Sequence, residues 1–332
     1  MKYALGNMLN GAGGLNPDGL SLDLQFATDK TLTARKGPTP VFTRASTATF
    51  VGSNGLIQSA AIDVARFDHD PVTLACKGLL IEESRTNLVF PSDTLTTQTR
   101  TVTAVAHTLS FYGTGTVVLS GVAIATVTGT GVYPTRTTLT FTPTAGSLIL
   151  TVTGSVTQAQ LETGAFVTSY IPTTSGSAIR SADVCSITGS AFSGFYNNSA
   201  GTIVGDLVVS DPTQISPQLF RAYLNGDNRI QLGVTNTVGA AIRPFITSGG
   251  TTTYSSTQGT TISGSPRKVA LSYAVNDAIS CLNGTLGTRD GDVTPPTNVI
   301  VADIGFGLNG TISRIQYFKK RLSDFKLQSL TS

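Results

Sequence analysis

The residue types best suited to chemistry meet in one short stretch of this sequence. Asp68, His69 and Asp70 are consecutive and are followed by Pro71. Carboxylate and imidazole groups can ligate a metal ion or exchange a proton with a substrate. On a strand, however, neighbouring side chains point to opposite faces, so only the two aspartates could converge. Because aspartate before proline favours a turn, we expect Asp68 and Asp70 to bond backbone amides and His69 to take no catalytic part.

Paired carboxylates, which cleave glycosidic bonds by acid catalysis and nucleophilic attack, are scarce. Glu82 and Glu83 are adjacent and would face opposite ways on a strand, and no glutamate follows Glu162. No histidine follows His107, which removes a serine–histidine arrangement from the C-terminal part. These absences predict that the protein is not an enzyme.

One further acid pair lies in the segment TRDGDVTPP, where Asp290 and Asp292 are separated by a glycine. The two side chains would share a face if the segment were extended. A surface turn is the favoured interpretation, with calcium ligation as the alternative and a paired-aspartate hydrolase as a lesser one. Calcium is therefore the one cofactor that the sequence suggests.

A sugar site would need an aromatic face, and the sequence has no tryptophan. Tyrosine must take that role if the protein binds a glycan. Tyr196, Tyr223 and Tyr254 have polar neighbours and are the candidates for glycan binding. Ordinary packing or a surface turn is the alternative interpretation for each of them.

Composition and charge limit the partners. The 332 residues include 22 Lys and Arg against 19 Asp and Glu, a net charge of +3 that is too small and dispersed to predict nucleic-acid binding. We find no apolar run of about 18 residues, so no membrane association is expected, and no secretory signal at the N-terminus. Cys76, Cys185 and Cys281 are far apart, which favours free thiols.

Secondary structure is predicted to be β almost throughout. Apolar and polar residues alternate in TTLTFTP (137–143) and KVALSYA (268–274), as in half-buried strands, and glycine-bearing turns recur between such runs. Asn-Gly pairs at 54–55, 225–226, 283–284 and 309–310 predict hairpins. One short helix is expected after Ser323 as its N-cap, with Phe325, Leu327 and Leu330 facing inward. The predicted fold class is all-β, built from antiparallel β-sandwiches.

Composition shifts near Pro91 and in IPTTSGSAIRS (171–181) suggest three parts. We expect an N-terminal docking region over 1–92, a small β-sandwich over 93–174 and a larger sandwich over 175–332. The glycine-rich residues 1–20 are a candidate anchoring arm, with a frayed terminus as the alternative.

Three stretches resemble known families. Residues 42–89 (FTRASTATF…ESRTNLV) are similar to a segment of tailed-bacteriophage tail-fibre and head-spike proteins, and residues 154–183 resemble the end of the small β-domain that follows it there. Residues 268–287 and 302–331 are similar to the closing strands of concanavalin-like, laminin-G-like lectin sandwiches. The resemblance implies a jelly-roll sandwich, a location in the virion, and other virion proteins as partners.

The resulting hypothesis is a structural virion protein, a tail fibre, spike or head fibre, whose lectin-like domain adheres to a host-surface polysaccharide. It would be made in the host bacterial cytoplasm and released by lysis. Proteins that it resembles are commonly trimers, so a homotrimer is expected. The alternatives are a purely structural capsid decoration protein and a polysaccharide-degrading tailspike.

Overall fold

The computed structural model describes residues 19–210, 217–234, 242–259 and 264–332. These residues form 26 strands and three short helices, and every strand pairing between them is antiparallel, so the all-β prediction is confirmed. The first strands are β1 (Leu20–Leu24), β2 (Val41–Thr43), β3 (Ala48–Val51), β4 (Ile57–Ala60), β5 (Phe67–His69), β6 (Cys76–Ile81), β7 (Arg85–Asn87), β8 (Gln98–Val102), β9 (His107–Tyr112), β10 (Thr116–Gly121), β11 (Ala125–Thr128), β12 (Thr137–Phe141), β13 (Gly146–Thr153), β14 (Thr157–Thr163), β15 (Ala178–Arg180) and β16 (Val184–Thr188).

The C-terminal strands are longer, as the runs of β-branched residues predict. They are β17 (Ala200–Val209), β18 (Gln218–Asn225), β19 (Asn228–Gly233), β20 (Arg243–Ser248), β21 (Thr251–Ser255), β22 (Arg267–Ala274), β23 (Asp277–Leu282), β24 (Thr285–Leu286), β25 (Val301–Ile304) and β26 (Gly310–Phe318). The helices are α1 (Phe26–Asp29), α2 (Gly189–Phe195) and α3 (Asp324–Thr331). None of these helices is long and apolar enough to cross a membrane.

Two large sheets pack face to face in what we call the larger sandwich. One has the strand order β24-β23-β22-β17-β26-β6-β5, with β1 also on β26, and the other has the order β2-β16-β25-β18-β19-β20-β21. Their inner faces share one apolar core, in which Leu271 and Tyr317 of the first sheet meet Phe220 and Ile246 of the second. This arrangement leaves the opposite face of the seven-stranded sheet turned outward.

The N-terminal region is part of the larger sandwich, which differs from the boundary expected near residue 92. Strands β1 and β6 both pair with β26, and β2 pairs with β16, so that Leu80 lies opposite Thr311 and Val41 opposite Ser186. Pairing with C-terminal strands satisfies the edge hydrogen bonds of both sheets, and local composition carries no trace of it. The predicted arm over residues 1–20 lies almost wholly outside the described residues.

A smaller sandwich is formed by β8 to β14. Its sheets have the orders β11-β10-β13-β8 and β12-β9-β14. Leu109, Phe111, Val117 and Leu148 are fully buried between them, and the alternating residues of TTLTFTP contribute the half-buried Leu139 to the same core. These strands lie within the segment 93–174.

Helix α3 corrects two details of the sequence interpretation. Ser323 caps it, as predicted, by accepting a hydrogen bond from Lys326 N–H (3.4 Å). Leu327 is buried, but Phe325 is 79% exposed. Two residues along a helix are about 200° apart around its axis, so Phe325 lies on the side opposite to Leu327. The helix packs on β22, so this strand is buried on both faces. The alternation in KVALSYA predicted a strand that is buried on one face only.

The pairs Asn54–Gly55 and Asn283–Gly284 lie in turns between consecutive strands, whereas Asn225 ends β18 and only Gly226 is in the turn that follows. At Asn283–Gly284, between β23 and β24, both residues have positive φ (46° and 77°), as a type I′ hairpin requires. The hairpin predicted at Asn309–Gly310 is wrong. Gly310 begins β26, and Asn309 Oδ1 instead accepts a hydrogen bond from Glu83 N–H (2.8 Å). The three cysteines are free, as predicted.

A buried charge cluster lies where the two sandwiches meet. We call Arg44, Arg66, Glu82, Arg180 and Asp183 the inter-sandwich charge cluster. Arg66 contacts Glu82 (2.8 Å) and Asp183 (2.5 Å), Arg44 contacts Asp183 (3.1 Å), and Arg180 contacts Glu82 (3.1 Å). All five side chains are almost fully buried, so each charge depends on its partners in place of water.

Candidate functional site

Each side chain of the Asp-His-Asp stretch has its own backbone partner. Asp70 Oδ1 accepts hydrogen bonds from the N–H groups of Val72 (3.0 Å) and Thr73 (2.8 Å), which lower the pKa of its carboxyl group and confirm the predicted turn. Asp68 also accepts a hydrogen bond from a backbone amide, Val51 N–H (2.8 Å) on the neighbouring hairpin, but it lies in β5, so the turn predicted for it is wrong. His69 is buried, with Nδ1 3.2 Å from the Val51 carbonyl.

The acid pair at Asp290 and Asp292 forms a surface turn. Asp290 Oδ1 accepts the Asp292 N–H at 2.9 Å, and Asp292 is exposed. In the part of the chain that the structure describes, no three acidic, histidine or cysteine side chains come together to hold a metal ion. Calcium ligation at this loop stays a prediction.

Two of the three candidate tyrosines are buried in the core, so their assignment as glycan-binding residues is corrected. Tyr196 is 7% exposed, stacks on Phe192 and Tyr317, and shares a hydrogen bond with Tyr273 (2.9 Å). Tyr254 is 2% exposed. Its hydroxyl donates to the Thr288 carbonyl at 3.2 Å. Neither ring can offer a face to a sugar, because both are enclosed by the core.

Tyr223 is placed differently, on the outer face of the seven-stranded sheet. Within β18, Phe220 and Ala222 belong to the core. Because side chains alternate along a strand, Arg221 and Tyr223 therefore point outward, and both are partly exposed. The sequence interpretation of Tyr223 as a surface aromatic is thus consistent with its position.

Strand register gathers polar and aromatic side chains around Tyr223. Arg221 lies opposite Asp303 of β25 on one side and Gln231 of β19 on the other, and Gln231 lies opposite Phe245 of β20. Two residues further along β18, Tyr223 lies opposite Arg229 of β19, and Arg229 lies opposite Thr247 of β20. We call these residues the outer-face cluster: Arg221, Tyr223, Arg229, Gln231, Phe245, Thr247 and Asp303.

Arg221 is held rigidly at the centre of this cluster. Its guanidinium carbon lies 4.1 Å from the ring centre of Tyr223 and 3.6 Å from that of Phe306, so two aromatic rings lie against the cation. Nη2 contacts Asp303 Oδ2 at 2.5 Å. Cation–π contacts contribute about 0.5–1 kcal/mol each at exposed sites, so the arrangement is fixed before any ligand arrives. Phe306 keeps 48% of its surface exposed.

We call Arg221, Tyr223 and Phe306 the Arg221 platform. A pocket of about 340 Å³ lies beside it. Tyr223 and the loop Gly305–Phe306–Gly307 line one part of it, and Glu83 lines another. This volume is at the lower end of the range for ligand pockets, and it suits a ligand as small as one monosaccharide ring. The arrangement combines an exposed aromatic surface with an arginine and four carboxylates, those of Glu82, Glu83, Asp183 and Asp303.

Arginines exceed acids on this face. Arg229 and Arg243 have no carboxylate within 4.0 Å among the described residues, whereas Arg221 is paired with Asp303. The Arg243 guanidinium carbon lies 4.4 Å from the ring centre of Phe245. The outer face therefore offers cationic groups that no carboxylate of the described residues neutralises.

Sequence reasoning missed Arg221 and Phe306. The alternation Arg221-x-Tyr223 ahead of an Asn-Gly turn was a usable signal, because both residues must share one face of a strand. Phe306 stands between two glycines in a loop, and nothing in its local sequence indicates that it lies against a strand more than 80 residues away.

Comparisons with known proteins give resemblance to parts of the chain only. No family model and no curated protein matches the sequence. Among solved structures, the carbohydrate-binding module CBM40 of a Ruminococcus gnavus sialidase is 20% identical over 41% of this chain and 84% of its own, with a TM-score of 0.36.

Two other solved structures resemble the chain at a similar level. Domain 4 of the extracellular arabinanase AbnA of Geobacillus stearothermophilus, in complex with arabinotriose, is 11% identical over 50% of this chain and 82% of its own, with a TM-score of 0.38. A Trypanosoma rangeli sialidase is 15% identical over 44% of this chain and 25% of its own, with a TM-score of 0.33. The solved structures that resemble this chain thus include carbohydrate-binding modules and whole sialidases.

Proposed function

We propose that this chain is a surface protein of a bacteriophage virion that adheres to a host-surface glycan without cleaving it. The observation that carries the adhesion is Arg221, held between the rings of Tyr223 and Phe306 at the edge of a pocket. Sugar sites pair an aromatic surface, on which the ring stacks, with a few fixed polar groups that select its hydroxyls. Tyr223 and Phe306 supply the first, and Arg221, Asp303 and Glu83 supply the second.

Acidic glycans are the preferred class. Arg229 and Arg243 lack carboxylate partners among the described residues, and guanidinium groups match the planar geometry of carboxylates. Their charge attracts an acidic polymer before contact and weakens with added salt. Binding should therefore favour uronic-acid-bearing or sialylated polysaccharides over neutral ones.

The carboxylates around the pocket support binding without hydrolysis. Glu82, Glu83, Asp183 and Asp303 line it, and each is ion-paired with at least one arginine. A general acid needs a raised pKa to hold its proton near neutral pH, whereas the pKa of Glu82 is lowered to about 2. Glu82 therefore stays ionised and paired with Arg66 and Arg180.

The virion location rests on the sequence resemblance of residues 42–89 and 154–183 to tail-fibre and head-spike proteins. A homotrimer mounted on other virion proteins would present several copies of the outer face to one cell surface. Repeated weak sugar contacts then give strong attachment through effective concentration. Such a mechanism suits a site that is open and partly exposed.

The test is binding of the full chain to a panel of acidic and neutral polysaccharides from host cells, at high surface density. We expect Tyr223→Ala and Phe306→Ala to weaken binding about tenfold or more, as loss of an aromatic anchor does. Phe325→Ala is the matched control, because Phe325 is 79% exposed on α3 and lies outside the pocket. Equal binding by the Phe306 and Phe325 variants would refute the site.

The same samples test the absence of cleavage. Incubation with a bound polysaccharide should release no new reducing ends, and their release at enzyme-like rates would show a depolymerase instead. If the wild-type protein binds no glycan at all, a purely structural decoration of the capsid becomes the better account.

A further inference from the structure

A second cavity, of about 290 Å³, lies between the two sandwiches. Its wall comes from three parts of the chain, represented by Phe50 of the β3–β4 hairpin, Tyr112 and Arg136 of the smaller sandwich, and Asn309 of the larger one. Neither the Arg221 platform nor any other residue of the outer-face cluster lines it. It is therefore a separate candidate for ligand binding.

The distinctive feature of this cavity is the side chain of Arg136 in its wall. It is partly buried, and its Nη1 and Nη2 donate to the Thr168 carbonyl (2.7 Å) and to Ser110 Oγ (2.9 Å), which are neutral acceptors. A guanidinium has five N–H donors, so two bonds leave much of its capacity unused. In the described part of the chain no carboxylate lies within 4.0 Å of it, whereas Arg44 and Arg180 each have one and Arg66 has two.

Charge balance around the cavity shows that the positive charge of Arg136 is in excess. The surrounding layer holds four arginines, Arg136 and the three of the inter-sandwich charge cluster, and three buried carboxylates, Glu82, Glu162 and Asp183. Asp68 and Lys77, which also line the cavity, are a pair at 3.6 Å and cancel each other. One positive charge is left over, and Arg136 is the arginine of the four that has no ion-pair partner among the described residues. Burial lowers the pKa of Arg136, although the charges of Glu162 and Glu82 act to raise it.

We propose that this cavity binds a single carboxylate group, carried by a ligand about the size of one uronic acid, with Arg136 as its ionic contact. A charge of −1 completes the balance, and the planar guanidinium fork matches a carboxylate in geometry. Phosphate and other doubly charged anions fit less well, because Asp68 and Glu82 line the same cavity and repel the second charge. Phe50 and Tyr112 provide apolar surface for the body of the ligand.

The experiment is calorimetric titration of the full chain with D-glucuronate, acetate, inorganic phosphate and D-glucose. We expect both carboxylates to bind, with glucuronate the tighter, and glucose not to bind. Arg136→Gln should weaken glucuronate binding about tenfold or more, which is the contribution of a charged hydrogen-bonding partner. Arg136→Lys keeps the charge without the planar fork and should bind with intermediate affinity.

Arg100→Gln is the matched control. Arg100 is also partly buried in the smaller sandwich, stacks on Phe90 at 3.6 Å and lacks a carboxylate partner among the described residues, but it does not line the cavity. This variant should bind glucuronate as the wild type does. Near-UV circular dichroism reports whether each variant is folded, and the Lys variant supplies the answer if the Gln variant is not.

Three outcomes would overturn the proposal: no carboxylate binds the wild type, phosphate binds more tightly than glucuronate, or an Arg136 variant keeps wild-type affinity. The proposal does not depend on the adhesion function. Loss of polysaccharide binding in the Tyr223 variant with retained glucuronate binding would separate the two sites.

Discussion

Arg66 and Asp183, which are 117 residues apart in the sequence, form an ion pair of 2.5 Å with no solvent exposure of either side chain. Arg66 follows the β3–β4 hairpin, and Asp183 precedes β16, which belongs to the seven-stranded sheet. The pair therefore joins the N-terminal region to the sandwich that carries the outer-face cluster. Asp183 also accepts a hydrogen bond from Glu82 N–H at 2.9 Å, which fixes the chain beside the pocket.

Replacement of Asp183 by Asn should destabilise the protein strongly. It leaves Arg44 and Arg66 buried with one counter-charge fewer, and breaking a buried pair by removing one partner costs about 3–5 kcal/mol. Urea unfolding followed by circular dichroism measures the change. Asp29→Asn, which breaks the exposed pair of Asp29 with Arg35, is the control and should have a much smaller effect. Equal effects would mean that the buried pair has no special weight.

Stability should fall as the pH drops below about 4.5, and Glu82 should account for much of the loss. Burial alone would raise the pKa of Glu82, but Arg180, Arg66 and two hydrogen bonds from Ser169 outweigh it and hold the pKa at about 2, against 4.5 in the unfolded chain. A lowered folded-state pKa contributes stability above pH 4.5, which is lost as the pH falls through about 2.

That shift corresponds to about 3 kcal/mol of the free energy of unfolding. Unfolding measured between pH 6 and pH 2 should show the loss, and Glu82→Gln should flatten the curve over this window because its side chain does not titrate. A curve of the same steepness in the variant would assign the pH dependence to other carboxyl groups.

Gly310→Ala should destabilise the larger sandwich. A methyl group at Gly310 would stand 2.0 Å from the Val208 carbonyl oxygen on the adjacent strand, so β26 and β17 would have to separate. Such overpacking costs about 1–3 kcal/mol or more. Gly226→Ala in the β18–β19 turn is the control, since no atom lies within 4 Å of the added group, and thermal unfolding compares the two. Equal melting temperatures would contradict the close approach of the strands.

The sequence was sufficient for features that are decided within a few residues. Alternation of apolar and β-branched residues predicts strands, and positive-φ turns at Asn283–Gly284 follow from the chemistry of those two residues. The Ser323 cap depends on a hydrogen bond between residues three apart. Each of these is a local choice of backbone conformation, which neighbouring side chains determine.

The candidate site was predictable only in part. Tyr223, Tyr196 and Tyr254 have similarly polar neighbours, yet one ring is on the outer face and two are in the core. For Tyr223 and Tyr254 the difference depends on which face of each strand meets the opposite sheet, and a single sequence does not specify the partner. Tyr196 follows α2 and is buried by packing on Phe192 and Tyr317. Phe306 could not be predicted either, because the position of its loop relative to β18 depends on the packing of the whole sandwich.

By itself, the sequence determined the all-β class, the short C-terminal helix and the free cysteines, because backbone propensity and residue spacing act locally. Only the tertiary structure decided that β1, β2, β5 and β6 complete the larger sandwich, that Arg66 meets Asp183, and that Arg136 lines a cavity without an ion-pair partner among the described residues. These are contacts between residues distant in sequence. Their energies depend on strand register and on exclusion of water, which exist only once the chain has folded.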